Sequence, residues 1–275
     1  MKISAFTIVR NATILEYPVV ESILSILPIV DEYVVLVGKS DDDTLDLIKG
    51  IDSDKIRIVE NEWRDDLKKD GLFFSHLTNL AMEKCTGDWA FSLQADEVIH
   101  EKDLPALQQL IGRCDKNPAV KAISLRFYQF YGDYRTYNPY GHRKACRIVR
   151  NNGEVMNIWD GVAFALRATP ETRLLEGPPE HIVKSSIYIY HYSWVKDPSR
   201  LLQKFNILDV HYRGDKANHL SRFDFDLRMV KRFKGSHPKV MEKRIASFQS
   251  PLPPHRSRWL KPAFYPFLLS RGYKG

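Results

Sequence analysis

Cysteine is scarce in this chain. Three residues, Cys85, Cys114 and Cys146, occur among 275. They form no CxxC pair and no zinc-ligand spacing. That excludes a disulfide framework or a structural zinc site and matches reduced thiols in a cytosolic protein. Long apolar runs are missing too. No stretch approaches the roughly 18 apolar residues of a membrane-spanning helix. The opening MKISAFTIVRNATILEY reaches Arg10 and Asn11 too soon for a signal-peptide core, and no small-residue cleavage site follows. A cytoplasmic location is therefore expected. There is no internal repeat and no low-complexity tract.

Charge is present but uneven. From Arg213 to Gly275 there are 15 Lys/Arg against 4 Asp/Glu, whereas the whole chain carries only +7. A basic C-terminal region suits an anionic partner, or it is simply a solvated face. The tail from Pro251 mixes Trp259, Phe264, Tyr265, Phe267 and Leu268 with Arg256, Arg258, Lys261 and Arg271. That composition suits peripheral membrane contact, packing on its own domain, or a second subunit. Nucleic-acid binding has no recognised motif here.

The first half alternates strand and helix. Ile3–Val9, Tyr33–Val37, Ile56–Glu60 and Trp89–Leu93 read as apolar strands. Between them, helical spacing appears after Pro18, over Thr44–Ile51 and over Ser75–Cys85, and again over Glu101–Gly112. This order predicts a mostly parallel sheet with helices on both faces. In such sheets ligands sit beyond the carboxyl ends of the strands. Arg10–Asn11, Gly38–Asp43, Glu60–Trp63 and Gln94–Glu97 should therefore converge on one rim. The second half is β-rich, over Ala119–Tyr128, Ala145–Arg150, Val162–Leu166 and Ser186–Tyr192. The aromatic stretch Tyr128–Tyr140 is expected in loops, and Pro198–Tyr212 as a helix.

The segment SLQADE carries the strongest chemical signal. Strand alternation places Gln94 and Asp96 on one side, with Ala95 opposite. Oxygen-bearing side chains so spaced can address one hard divalent ion or one ribose–diphosphate unit. An acidic turn capping the next helix is the plain alternative.

The layout resembles family-2-like glycosyltransferases of the GT-A fold. The resemblance rests on FTIVRN at the first strand, DEYVVLVGKSDDDT at the second, Asn79 in the third helix and GDWAFSLQADEVI at the fourth strand. It covers residues 1–112 well and continues to about residue 200, where RKACRIVRN and IYHYSWV look like segments of bacterial relatives. It implies an α/β, Rossmann-like nucleotide-sugar-binding domain over residues 1–212. Residues 1–112 form the donor half, residues 113–212 the acceptor half, and residues 213–275 a basic helical extension. It implies a nucleoside-diphosphate sugar donor, a glycan or lipid-linked acceptor, Mn²⁺ or Mg²⁺, and inversion at the sugar carbon. Bacterial surface-polysaccharide assembly is the implied setting.

In that family the fourth-strand motif is DxD, which binds the metal and diphosphate. Here Gln94 replaces the first carboxylate, leaving Asp96 as the chief ligand. The family's base-reading Asp is replaced by Val37–Gly38, so base recognition falls to neighbours such as Arg10 and Asp43, with Asn11 beside them. His191 in YIYHYSW matches the late histidine that supplies another metal ligand; His142 and His181 are weaker matches. Asp160 in NIWDGVAF is the expected catalytic base, next to Trp159; Asp133 and Glu176 follow it. An Asp-Gly turn explains Asp160 equally well. Arg10 heads the expected diphosphate cations, ahead of Lys68, Lys69, Arg143 and Arg147. Two other readings compete: a binding module without catalysis, favoured by Gln94, and nucleotidyl transfer, disfavoured because VRNATI has no Gly-rich phosphate loop.

Overall fold

The computed structural model describes residues 1–63, 72–141, 143–159, 161–213, 221 and 230–252. Asp160, His142, Lys68, Lys69 and the tail from residue 253 lie outside the described residues.

The donor half runs β1 (Ile3–Val9), α1 (Val19–Ile26), β2 (Glu32–Gly38), α2 (Thr44–Lys49), β3 (Ile56–Asn61), α3 (Leu72–Glu83), β4 (Trp89–Ser92), β5 (Glu97–Ile99) and α4 (Leu104–Asp115). Strands β4, β1, β2 and β3 are parallel neighbours in that order. Strands β1 and β2 are almost wholly buried, as expected for parallel strands covered on both faces. Helices α1 and α4 cover one face, with Ile23, Ile26, Leu107 and Ile111 packed against Ala5, Val35 and Phe91. Helix α3 covers the other through Phe73, Leu77 and Ala81, against Phe6, Val34 and Ala90.

The second half comprises β6 (Ala122–Tyr131), β7 (Asp133–Asn138), β8 (Lys144–Arg150), β9 (Val155–Ile158), β10 (Ala163–Leu166), β11 (Thr169–Arg173), β12 (Ile182–Trp194), α5 (Pro198–Arg213), β13 (Lys231–Arg232) and α6 (Glu242–Ser247). Strand β8 joins β4 antiparallel and continues the sheet through β6 and β7. Strand β12 runs parallel to β6 and antiparallel to β5. Strands β9–β11 form a separate small sheet. The architecture is thus the expected mixed sheet of the GT-A fold, with helices on both faces.

Two expectations change. The aromatic stretch Tyr128–Tyr140 lies largely in the β6–β7 hairpin rather than in loops. Gly132 turns that hairpin at φ 74°, a conformation open to glycine. The basic C-terminal region is also partly built into the domain. Strand β13 pairs with β7, and Met241 packs with Phe130, Tyr134, Tyr190 and Tyr192.

Candidate active site

The strand ends that should meet on one rim do so. A cavity of about 640 Å³ is lined by Arg10 and Asn11 after β1, Asp41 after β2, Trp63 after β3, and Gln94 and Asp96 after β4. Its far wall is His191, Ser193 and Trp194 of β12, with Leu201, Lys204, Phe205 and Leu208 of α5.

Asn11 adopts φ 54°, a left-handed conformation in which Asn is tolerated far better than most side chains. Its amide then spans two loops. Oδ1 accepts the Asp41 N–H at 2.8 Å, and Nδ2 donates to Asp41 Oδ2 at 3.1 Å. Arg10 reaches the same Asp41 carboxylate at 3.5 Å and lies 5.9 Å from the centre of the Trp63 ring. Asp43 is placed differently. It is exposed, begins α2, and accepts the Thr13 hydroxyl at 2.5 Å rather than lining the cavity. Trp63 lies across Gly38, where an added Cβ would sit 2.3 Å from Nε1. Glycine at the end of β2 is therefore what admits the indole.

The segment Gln94–Glu97 is a turn, not a strand continuation, because β4 stops at Ser92. The Glu97 N–H donates to the Gln94 carbonyl at 2.9 Å, and the Glu97 carboxylate accepts the Gln94 N–H at 3.1 Å. Ala95 faces the cavity together with Gln94 and Asp96. Glu97 itself points inward, 0% exposed, and is bound by Arg147, 1% exposed, with a shortest contact of 2.6 Å. The third guanidinium nitrogen of Arg147, Nη1, donates to the Val162 carbonyl at 3.0 Å. Arg147 is thus not a diphosphate contact: it is committed to fixing the turn. Arg143 is exposed at the start of β8, away from the cavity.

Strand pairing delivers the histidine. His191 is in register with Glu97 across β12 and β5, and the Tyr192 N–H donates to the Asp96 carbonyl at 2.9 Å. His191 Nε2 consequently lies 3.5 Å from Asp96 Oδ1, while Nδ1 contacts the Gln129 side-chain oxygen. On the other carboxylate oxygen sits Lys204, with Nζ 3.3 Å from Oδ2. Lys204 also donates to Ser193 Oγ and lies 4.7 Å from the centre of the Tyr17 ring. Lys196 is close by, 5.0 Å from the same ring centre and donating to the Leu15 carbonyl at 2.8 Å.

These groups set one another's charge. Burial alone would raise the Asp96 pKa, but His191, Lys204 and Lys196 hold it well below the usual carboxylate range. Burial works against the charge of Lys204 too, yet Tyr17 and Asp96 keep its pKa above the ordinary lysine value. The corner is therefore an anion paired with the ammonium of Lys204.

A divalent ion is the group that the expected reaction implies. Asp96 Oδ1 and His191 Nε2 are close enough to share one. However, among the described residues no three His, Cys, Asp or Glu side chains converge on a metal-sized site. The ammonium of Lys204 is already on the Asp96 carboxylate. As arranged, these residues do not fit a resident metal.

The remaining sequence candidates lie elsewhere. Asp133 is buried at the β6–β7 turn and accepts the Arg135 N–H at 3.0 Å and the Ser250 hydroxyl at 3.1 Å. Glu176 lies 3.7 Å from Arg173 on the small-sheet side. His181 precedes β12, and neither it nor Glu176 reaches the cavity. The neighbours of Asp160 are informative. Trp159 has φ 60°, Gly161 has φ 82° and packs on Phe74 and Thr78, and Val162 lines the cavity. Sequence reasoning missed Tyr17, Ser193 and Lys204. For Lys204 a signal existed: Leu201, Lys204, Phe205 and Leu208 share one helical stripe, so the lysine sits on the apolar face.

A family model, glycosyl transferase family 2, matches residues 11–169, more than half of the chain. The chain belongs to glycosyl transferase family 2. No curated protein matches it in sequence. Among solved structures, Staphylococcus aureus TarS 1–349 in complex with UDP-GlcNAc is 15% identical, with a TM-score of 0.43 over 77% of this chain and 66% of that one. The same TarS fragment without a named ligand is covered over 65% of its length, with 14% identity and a TM-score of 0.42 over 77% of this chain. Mycobacterium tuberculosis glucosyl-3-phosphoglycerate synthase, crystallised with Mn²⁺, UDP-glucose and phosphoglyceric acid, is 18% identical. Its TM-score is 0.33 over 46% of this chain and 44% of that one.

Proposed function

We propose that this family 2 chain transfers a sugar from a nucleoside-diphosphate sugar to a hydroxyl of a glycan or lipid-linked acceptor, with inversion. The observation that carries the reading is the cavity at the carboxyl ends of β1–β4, with Asp96 held ionised in its wall by His191 and Lys204. A cavity of this size falls in the range that accepts small molecules and cofactors. Arg10, Asn11 and Asp41 supply polar groups at the end beside Trp63, where the nucleoside fits. Gln94, Asp96 and the cations around it receive the diphosphate.

Asp160 is the proposed base. Val162, two residues further along the chain, lines the cavity. Asp160 would take the proton of the acceptor hydroxyl as oxygen attacks the sugar carbon and the nucleoside diphosphate leaves. Asp160→Asn should lower turnover by about 10²–10⁴-fold, the usual worth of a general base, while leaving donor binding intact. Binding lost in parallel with turnover would remove Asp160 from that role.

The test of the reading is a thermal-shift screen of nucleoside diphosphates and their sugars with the full chain, followed by donor hydrolysis. One nucleotide class should stabilise the protein, and its sugar should be cleaved. Asp96→Asn, which preserves shape but removes the charge, should abolish cleavage. Wild-type binding without turnover toward any donor or acceptor would favour a non-catalytic binding module.

A further inference from the structure

The carboxylate on which the expected reaction would place a divalent ion, Asp96, already carries a cation of this protein on its Oδ2 oxygen. Lys204 Nζ lies 3.3 Å from Oδ2, and the residue is only 7% exposed although it lines the cavity. Its place is built rather than incidental. Helix α5 carries it on the stripe Leu201–Lys204–Phe205–Leu208, all four of which line the cavity. Its protons go to the Asp96 carboxylate and the Ser193 hydroxyl, and the ammonium lies 4.7 Å from the centre of the Tyr17 ring.

We propose that the cation facing the donor's diphosphate is the ε-ammonium of Lys204, delivered by α5 and steadied by Asp96, so that nucleoside-diphosphate binding needs no divalent ion. The inference rests on the glycosyltransferase reading. Its physical basis is exchange of partners. The hydroxyl of Ser193 is a neutral acceptor, and a phosphate oxygen is a charged, stronger one. An incoming diphosphate can take that N–H bond while Asp96 keeps its own. A divalent ion on the same carboxylate would have to displace the ammonium or lie against it, two cations on one acid. Without Lys204, the buried Asp96 would repel the diphosphate unless a metal took its place.

Isothermal titration of the full chain with UDP, GDP, ADP and CDP, in EDTA and in Mn²⁺, tests this. Wild-type protein should bind its preferred diphosphate in EDTA within about threefold of its affinity in Mn²⁺. Lys204→Gln should weaken binding in EDTA by about tenfold or more, the scale of one charge-assisted hydrogen bond, and Mn²⁺ should recover part of that loss by occupying the vacated carboxylate. Wild-type binding that appears only with Mn²⁺ would overturn the proposal while leaving the glycosyltransferase reading standing. So would Lys204→Gln binding as tightly as wild type in EDTA. The wild-type comparison needs no variant and decides the question even if Lys204→Gln does not fold. If none of the four diphosphates binds with or without Mn²⁺, the glycosyltransferase reading itself falls, and this proposal with it.

Discussion

At the residue scale, Lys196 makes the corner's electrostatics measurable. It is fully buried beside Tyr17. Burial and the neighbouring Lys204 charge push its pKa down from 10.5 to about 7, against the pull of Asp96 and Glu16. Between those values the unfolded chain holds a proton that the folded chain lacks, so this residue makes stability rise with pH across the window. Below the lower value both states are protonated and the slope vanishes. Urea unfolding at pH 6.5 and pH 9 should show the wild type gaining stability relative to Lys196→Met. An equal pH response in the two proteins would mean that Lys196 is not depressed. The Glu97–Arg147 pair gives a second residue-scale expectation. Arg147→Met strands a fully buried carboxylate and should cost about 3–5 kcal/mol in denaturant unfolding; a cost below about 1 kcal/mol, the range of a surface pair, would contradict the role assigned to it.

At the element scale, the end of β2 shows how a sequence departure becomes geometry. The missing acidic residue leaves Gly38, and the indole of Trp63 occupies the space above it. Gly38→Ala should push Trp63 aside, costing about 1–3 kcal/mol as an overpacking change and weakening nucleotide binding. Intrinsic fluorescence of Trp63 that is unchanged in the variant would show that the contact is unimportant. The donor-half strands were legible because continuous apolar runs ended in Gly, Asn or acidic residues, and their rim followed from topology alone. The β6–β7 hairpin was not, because a polar, Tyr-rich stretch interrupted by Gly132 and Pro139 has the composition of a loop until a partner strand is known. Helix α5 was readable as a helix. Its lysine was marked in the sequence only by its place on the apolar stripe; the pairing with Asp96, 108 positions away, is made by tertiary packing. His191 was legible as a rigidly placed residue, while its register against β5 required the structure.

At the scale of the whole molecule, the described C-terminal residues 230–252 are tied to the domain. The Arg244 guanidinium grips the Glu21 carboxylate of α1 at 2.7 Å. His237 contacts the Tyr192 hydroxyl at 2.8 Å and the Tyr134 carbonyl at 2.8 Å. Met241 is fully buried, so Met241→Ala should lower unfolding stability by about 2–5 kcal/mol in a single transition. A variant that unfolds this segment separately, without shifting the main transition, would show that it is an independent layer. This packing also backs the cavity, since β12 carries Tyr190 and Tyr192 to the aromatic cluster and His191 to the site. The measurement that bears most directly on the whole account is a crystal structure of the full chain with the nucleoside diphosphate that the thermal-shift screen selects. The account predicts the diphosphate in the cavity, within hydrogen-bonding reach of Lys204 and next to Asp96, with the nucleoside toward Arg10 and Trp63. A nucleotide bound outside the carboxyl ends of β1–β4 would contradict it.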